Sequence, residues 1–166
     1  MKPLSHFSAA CQTLTRGGFV ERYPGPFLVH SSRTGGELKP TGGGRTIDSV
    51  VVEGGGDDAD VDVVTVFTTG QFAPKGPAIT VGSDVGCSLR VAAASVSRVH
   101  ARLQRAADGW RIEDAGSLVG TWVNGEAVET MVARKLEPGD RISLGALDLT
   151  FLPTSFFYDF VQKAAG

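Results

Sequence analysis

The sequence predicts an all-β fold, a sandwich or barrel of short, closely spaced strands. Three observations carry this. From about residue 61, β-branched runs alternate with turn signals at Gly70, Gly76-Pro77, Gly86, Asp108-Gly109, Asn124-Gly125 and Pro138-Gly139. The 22 glycines exceed the usual share of ~7% and suit a chain of tight turns. Asn124-Gly125, between Thr121-Trp122-Val123 and Ala127-Val128, is the strongest hairpin signal in the chain, because a two-residue turn needs positive φ at both positions.

The elements follow in order. Residues 4–17 predict a helix, with Ser5 as its cap, Phe7, Cys11 and Leu14 at helical spacing, and Gly17-Gly18 as its stop. Pro24 and Pro26 exclude a helix from Phe19 to His30, and Phe27–His30 is a candidate strand. Gly42-Gly43-Gly44 marks a loop, Ser49–Val52 a further candidate strand, and 54–60 an exposed linker. The tail, with Ser155 as cap and Phe156, Phe157, Tyr158, Phe160 and Val161 on a broad apolar face, predicts a second helix packing beside Phe19, Tyr23 and Phe27. The expected organisation is an extension over 1–60, a β domain over 61–153 and a helix over 154–166.

Composition narrows the function. With 166 residues, 42% hydrophobic and 20% charged, the chain is globular rather than disordered. A formal charge of −2 argues against binding nucleic acid through phosphate neutralisation. No apolar run has the length of a membrane span, and Met1–His6 lacks the apolar core of a secretion signal, so a cytoplasmic protein without membrane or nucleic-acid partners is expected. Cys11 and Cys87 make neither a disulfide framework nor a zinc site and read as buried apolar residues.

One constellation spans residues 78–152. It runs Ile79-Thr80-Val81-Gly82, then Val96-Ser97-Arg98-Val99-His100-Ala101, then Trp110 through Asp114-Ala115-Gly116-Ser117-Leu118-Val119-Gly120-Thr121-Trp122-Val123-Asn124-Gly125, and closes on Leu136 to Gly145. In order and spacing it resembles the forkhead-associated (FHA) domain over about residues 62–152. The resemblance implies an FHA-type antiparallel β-sandwich with a short N-terminal helix/strand extension and a short C-terminal helix, and loops that in many members bind phosphothreonine peptides. It also implies five peptide-contacting positions. Ser97 and Arg98 match the family pattern. Ser83 stands where an Arg follows the glycine, and Leu118 and Val119 stand where a Thr and an Asn belong. Positions with a scaffold role are kept: Gly82, His100, Asp114, Ser117, Gly120, Thr121, Asn124 and Gly125.

Physical chemistry weighs those replacements. A phosphate brings about −1.5 to −2 charges and three acceptor oxygens, best met by bidentate Arg and fixed hydroxyl or amide donors. A hydrogen bond to a charged group contributes about 1.5–3 kcal/mol, so losing the Arg alone weakens binding about 10- to 100-fold. The expected function is therefore a non-catalytic protein-interaction module, largely independent of phosphorylation, with Leu118 and Val119 as an apolar anchor. The alternative is a phosphothreonine-peptide reader in Ser/Thr kinase signalling that uses Ser97 and Arg98, with Arg90 or Arg102 as candidates for replacing the missing donor.

Other patterns yield no chemistry. His100 with Ser97 and Asp114 makes no convincing triad, because no nucleophile elbow or oxyanion loop accompanies it; a histidine bracing the loops is expected. Gly42–Gly44 and Gly54–Gly56 are not phosphate loops, since no Lys-Ser or Lys-Thr follows. Asp58, Asp60 and Asp62 start like a calcium loop, but Val63 occupies the turn-glycine position and no Glu closes it. No cofactor or metal is expected. The acidic run from Asp48 to Asp62, set against Arg90, Arg98, Arg102, Arg105 and Arg111, raises the idea of a built-in pseudo-ligand; a solvated linker is the plainer expectation.

Overall fold

The computed structural model describes residues 4–33, 47–51, 62–68 and 78–165. The chain begins with two helices, α1 (Leu4–Thr13) and α2 (Arg16–Arg22). Among the described residues twelve strands follow: β1 (Phe27–Arg33), β2 (Ile47–Val51), β3 (Asp62–Thr68), β4 (Ala78–Gly82), β5 (Leu89–Arg90), β6 (Ala101–Ala106), β7 (Gly109–Asp114), β8 (Thr121–Val123), β9 (Glu126–Ala127), β10 (Arg134–Leu136), β11 (Arg141–Leu144) and β12 (Leu147–Leu152). Helix α3 (Thr154–Ala165) ends the described chain. The loops at 42–44 and 54–60, and with them Asp58 and Asp60, lie outside the described residues.

The strands form two sheets packed as a β-sandwich, in the order β2-β3-β1-β12-β11-β8-β9 and β10-β7-β6-β4-β5. All pairings between named strands are antiparallel except β4–β5, where Val81 and Gly82 lie parallel to Leu89 and Arg90. Between the sheets sit Leu28, Ile79, Val81, Leu103, Ile112, Val123, Ile142, Leu144, Leu149 and Phe151. Fully burying one such side chain contributes about 1.5–3 kcal/mol.

Strand β1 opens with apolar residues on both faces, Phe27, Leu28 and Val29, and its register explains why. Leu28 pairs with Phe151 and both enter the inter-sheet core, while Phe27 pairs with Leu152 on the opposite face. Phe27, Val29 and Val66 there meet Phe7, Phe19, Phe157 and Val161 from the helices and Tyr23 just after α2, making a second core. Phe27 and Phe157 stack with ring centroids 3.9 Å apart. The helices are also joined by polar bonds: the Gln162 side-chain amide donates to the Cys11 carbonyl at 2.9 Å, and Arg16 pairs with Asp159 at 2.8 Å. The seven-stranded sheet thus takes strands from both sides of residue 60, with β1 between β3 and β12.

Three local expectations are corrected. The single helix over 4–17 is two helices, and Gly17-Gly18 lie inside α2 instead of ending α1. Thr15 caps α2 by accepting the Gly18 amide at 3.2 Å, so the two glycines occupy a first turn whose amides have no intrahelical partners. Phe19–Arg22, expected outside any helix, continue α2, which ends before Pro24. Ser5 and Ser155, expected as caps, lie inside helices that begin one residue earlier. The Thr154 hydroxyl instead reaches the carbonyls of Tyr23 and Gly25 at 2.8 and 2.7 Å.

Candidate functional site at the loop end of the sandwich

Two buried polar residues organise the loops that leave β4, enter β6 and join β7 to β8. His100 is fully buried just before β6. Its Nδ1 accepts the Ser97 backbone amide at 3.0 Å, which places the proton on Nε2, and Nε2 donates to the Gly120 carbonyl at 2.8 Å. One neutral imidazole therefore links the 97–98 segment to the loop after β7. Both ring nitrogens are taken by backbone groups and Asp114 bonds elsewhere, so the arrangement braces loops rather than forming a charge-transfer triad.

Asp114, at the end of β7, is the second organiser. Its Oδ1 accepts the Thr121 hydroxyl at 2.7 Å and the Ser117 hydroxyl at 2.5 Å. Its Oδ2 accepts the amides of Gly116 and Ser117 at 3.0 and 3.1 Å and the Thr130 hydroxyl at 3.2 Å. Burial alone would raise its pKa. The Ser117 and Thr121 hydroxyls and the two amides outweigh that and hold the carboxyl below its ordinary range.

Upon this frame the expected contact residues come together. Ser83 donates its amide to the Ser97 carbonyl at 3.0 Å, and Asp84 donates to the Arg98 carbonyl at 3.1 Å. The Ser97 hydroxyl oxygen accepts the Leu118 amide at 3.0 Å, leaving its own proton to donate elsewhere. Gly82 is required by this crossing: a Cβ there would lie 2.0 Å from the Arg98 carbonyl oxygen. Cys87, whose pKa burial raises, donates its thiol to the same oxygen at 3.1 Å. The Arg98 guanidinium is exposed and has no partner among the described residues. Leu118 is 92% exposed and Val119 50% exposed, on a loop whose backbone is tied at Gly116, Ser117, Leu118 and Gly120.

Asn124 does not join this cluster. It takes φ 51° in the β8–β9 turn, with Gly125 at 82°. Its side chain donates to Asp140 at 2.9 Å and accepts the Arg141 amide at 2.9 Å, so it braces the β10–β11 turn. Arg90 is brought to the missing-donor position by the parallel register: it pairs with Gly82, and its Nε donates to the Ser83 carbonyl at 3.1 Å. Arg102 is engaged with Glu113 at 3.3 Å. The turn at 130–132, which sequence reasoning missed, lies beside the site because Met131 donates its amide to the Asp114 carbonyl at 2.9 Å. Met131 has φ 64°, a left-handed conformation that costs a side-chain-bearing residue about 1–2 kcal/mol. No glycine or asparagine marks the position, so composition offered no signal.

No three His, Cys, Asp or Glu side chains converge as a metal site among the described residues, and no described helix is long and apolar enough to cross a membrane.

The fold and these loops define a β-sandwich recognition domain. Residues 79–145 match the family model for the FHA domain. The FHA domain is a protein-interaction module. Over 58 residues the chain is 50% identical to Protein FraH of Nostoc sp., covering 34% of this chain and 20% of that protein. It is 43% identical over 58 residues to the oxoglutarate dehydrogenase inhibitor of Corynebacterium jeikeium, covering 35% of this chain and 38% of that one. The chain thus spans between a fifth and two fifths of these relatives' lengths. Among solved structures, the N-terminal FHA domain of Rad53p from S. cerevisiae in complex with a phosphothreonine peptide is 26% identical, with a TM-score of 0.43, covering 50% of this chain and 73% of that one.

Proposed function

We propose that this FHA domain is a non-catalytic module that holds a protein or peptide partner at its loop end without depending on phosphorylation. It does so in the cytoplasm, with no cofactor or metal. The observation that carries the reading is the contrast at the site itself: the loops are fully braced, yet their outermost side chain is Leu118, 92% exposed. Ser83, Leu118 and Val119 present no guanidinium or amide side chain to an anion, whereas two aliphatic groups on a fixed backbone suit an apolar anchor.

A second reading keeps one favourable observation. Arg98 has no partner among the described residues, and the Ser97 hydroxyl proton is available to a phosphate oxygen. Those two groups would serve a phosphothreonine reader.

Calorimetry with phosphothreonine peptide pools and their unphosphorylated twins separates the readings. The wild-type chain is expected to show no phosphate-dependent binding, and the double variant Ser83→Arg, Val119→Asn to acquire it, with a gain on the order of 10- to 100-fold from the restored Arg alone. Phosphate-dependent binding by the wild type that Ser97→Ala abolishes would establish the second reading instead.

A further inference from the structure

We infer that the turn at residues 130–132 is the second half of the recognition face, and that the whole face takes an unphosphorylated segment carrying apolar side chains and a carboxylate. This rests on the proposed phosphate-independent function and names its partner chemistry.

Asp114 is the joint between the halves. One oxygen of its carboxylate accepts the Gly116 and Ser117 amides from one loop and the Thr130 hydroxyl from the other. Its carbonyl accepts the Met131 amide, and Asp114 and Thr130 form a parallel bridge. Leu118 and Val119 therefore rise from one side of a single buried group, Met131 and Val132 from the other. Met131 is 62% exposed and Val132 51%. A left-handed turn that exposes its side chain gains no core packing from a methionine. A flexible thioether at such a place suits adaptable apolar contact.

Charge selects the occupant. Arg98 stands without a counter-ion among the described residues. Arg102 lies against the Met131 sulfur at 3.5 Å and is shared with Glu113. The opposing charges are Glu129, exposed at the far end of the turn, and Asp84, whose carboxylate accepts the Gly86 amide at 2.7 Å. The positive end is thus the Arg98 side, where a partner carboxylate fits, with apolar side chains crossing toward Met131 and Val132.

The test uses short unphosphorylated random peptides selected by display against the full chain, followed by titration of methyl-labelled protein with the selected peptide. The selected peptides are expected to combine Asp or Glu with apolar residues. The methyl signals of Leu118, Val119, Met131 and Val132 should shift along one saturation curve. Met131→Gly separates contact from architecture, since glycine relieves the left-handed backbone: its thermal midpoint should not fall, while affinity drops at least about fivefold. Arg98→Ala should weaken binding of the acidic peptides and leave a charge-free analogue unchanged. Shifts at Leu118 and Val119 with Met131 and Val132 unmoved would overturn this inference while leaving the proposed function standing. Binding of phosphorylated peptides alone, or a library that yields no binder, would overturn both. Concentration-dependent self-association through the same methyl groups would overturn the inference in favour of a second copy of the chain.

Discussion

Beneath the loops and on top of them, the recognition end has two different characters. The lower layer is buried and polar, with nearly every hydrogen-bonding atom of His100 and Asp114 matched to a loop amide, carbonyl or hydroxyl. The upper layer is exposed and apolar where the family pattern is polar, with Leu118 and Val119 outermost. Loop shape and ligand chemistry are therefore separable here. The first depends on the buried His100 and Asp114, the second on exposed side chains such as Leu118.

The sharpest way to break that separation is at Asp114. Asp114→Ala leaves the Thr121 and Ser117 hydroxyls and two amides without their acceptor. The Thr121 hydroxyl is buried and the Ser117 hydroxyl and the two amides are half-buried, so at about 1–3 kcal/mol for the buried group and less for each of the others, the loss of stability should reach about 2–3 kcal/mol, read as a lower urea midpoint. An unchanged midpoint would mean the frame is dispensable.

A smaller effect follows from the carboxyl's titration. Its folded pKa lies below its unfolded one, so between the two the unfolded chain binds more protons and stability rises with pH. The contribution is fully present above the ordinary aspartate value of about 3.9 and is lost as pH falls through the folded pKa. Urea titrations across acidic pH should show this slope in the wild type and a shallower one in Asp114→Asn.

The smallest effect belongs to the upper layer. Leu118→Ser should change stability by no more than about 0.5 kcal/mol, as for an exposed residue without fold contacts, yet abolish partner binding. A large shift in the urea midpoint would show that the surface supports the frame after all.

Much of this was legible in the sequence, for identifiable reasons. Turn residues located strand boundaries, since Gly109, Gly125 and Gly139 take positive φ. The FHA landmarks alone put Ser83, Ser97, Arg98 and Leu118 into one group. The failures share a cause, which is context that local chemistry does not encode. Gly17-Gly18 looked like a stop but sit where a helix tolerates them. Asn124 takes the turn its residue type predicts, but its side chain bonds 16 residues away, at Asp140. Arg90 reaches Ser83 through the parallel β4–β5 pairing. Met131 adopts a conformation that residue type argues against, and the Asp114 backbone holds it there.

Strand β1 has a practical consequence for anyone cutting this gene into fragments. A piece starting at residue 61, or at the first residue matched by the family model, would strip β12 of one of its two neighbours and leave a Leu28-sized void opposite Phe151. The bared backbone edge would invite a foreign strand, so such a truncation should come out of the cell as insoluble material, while one retaining Phe27 onward keeps the sheet continuous.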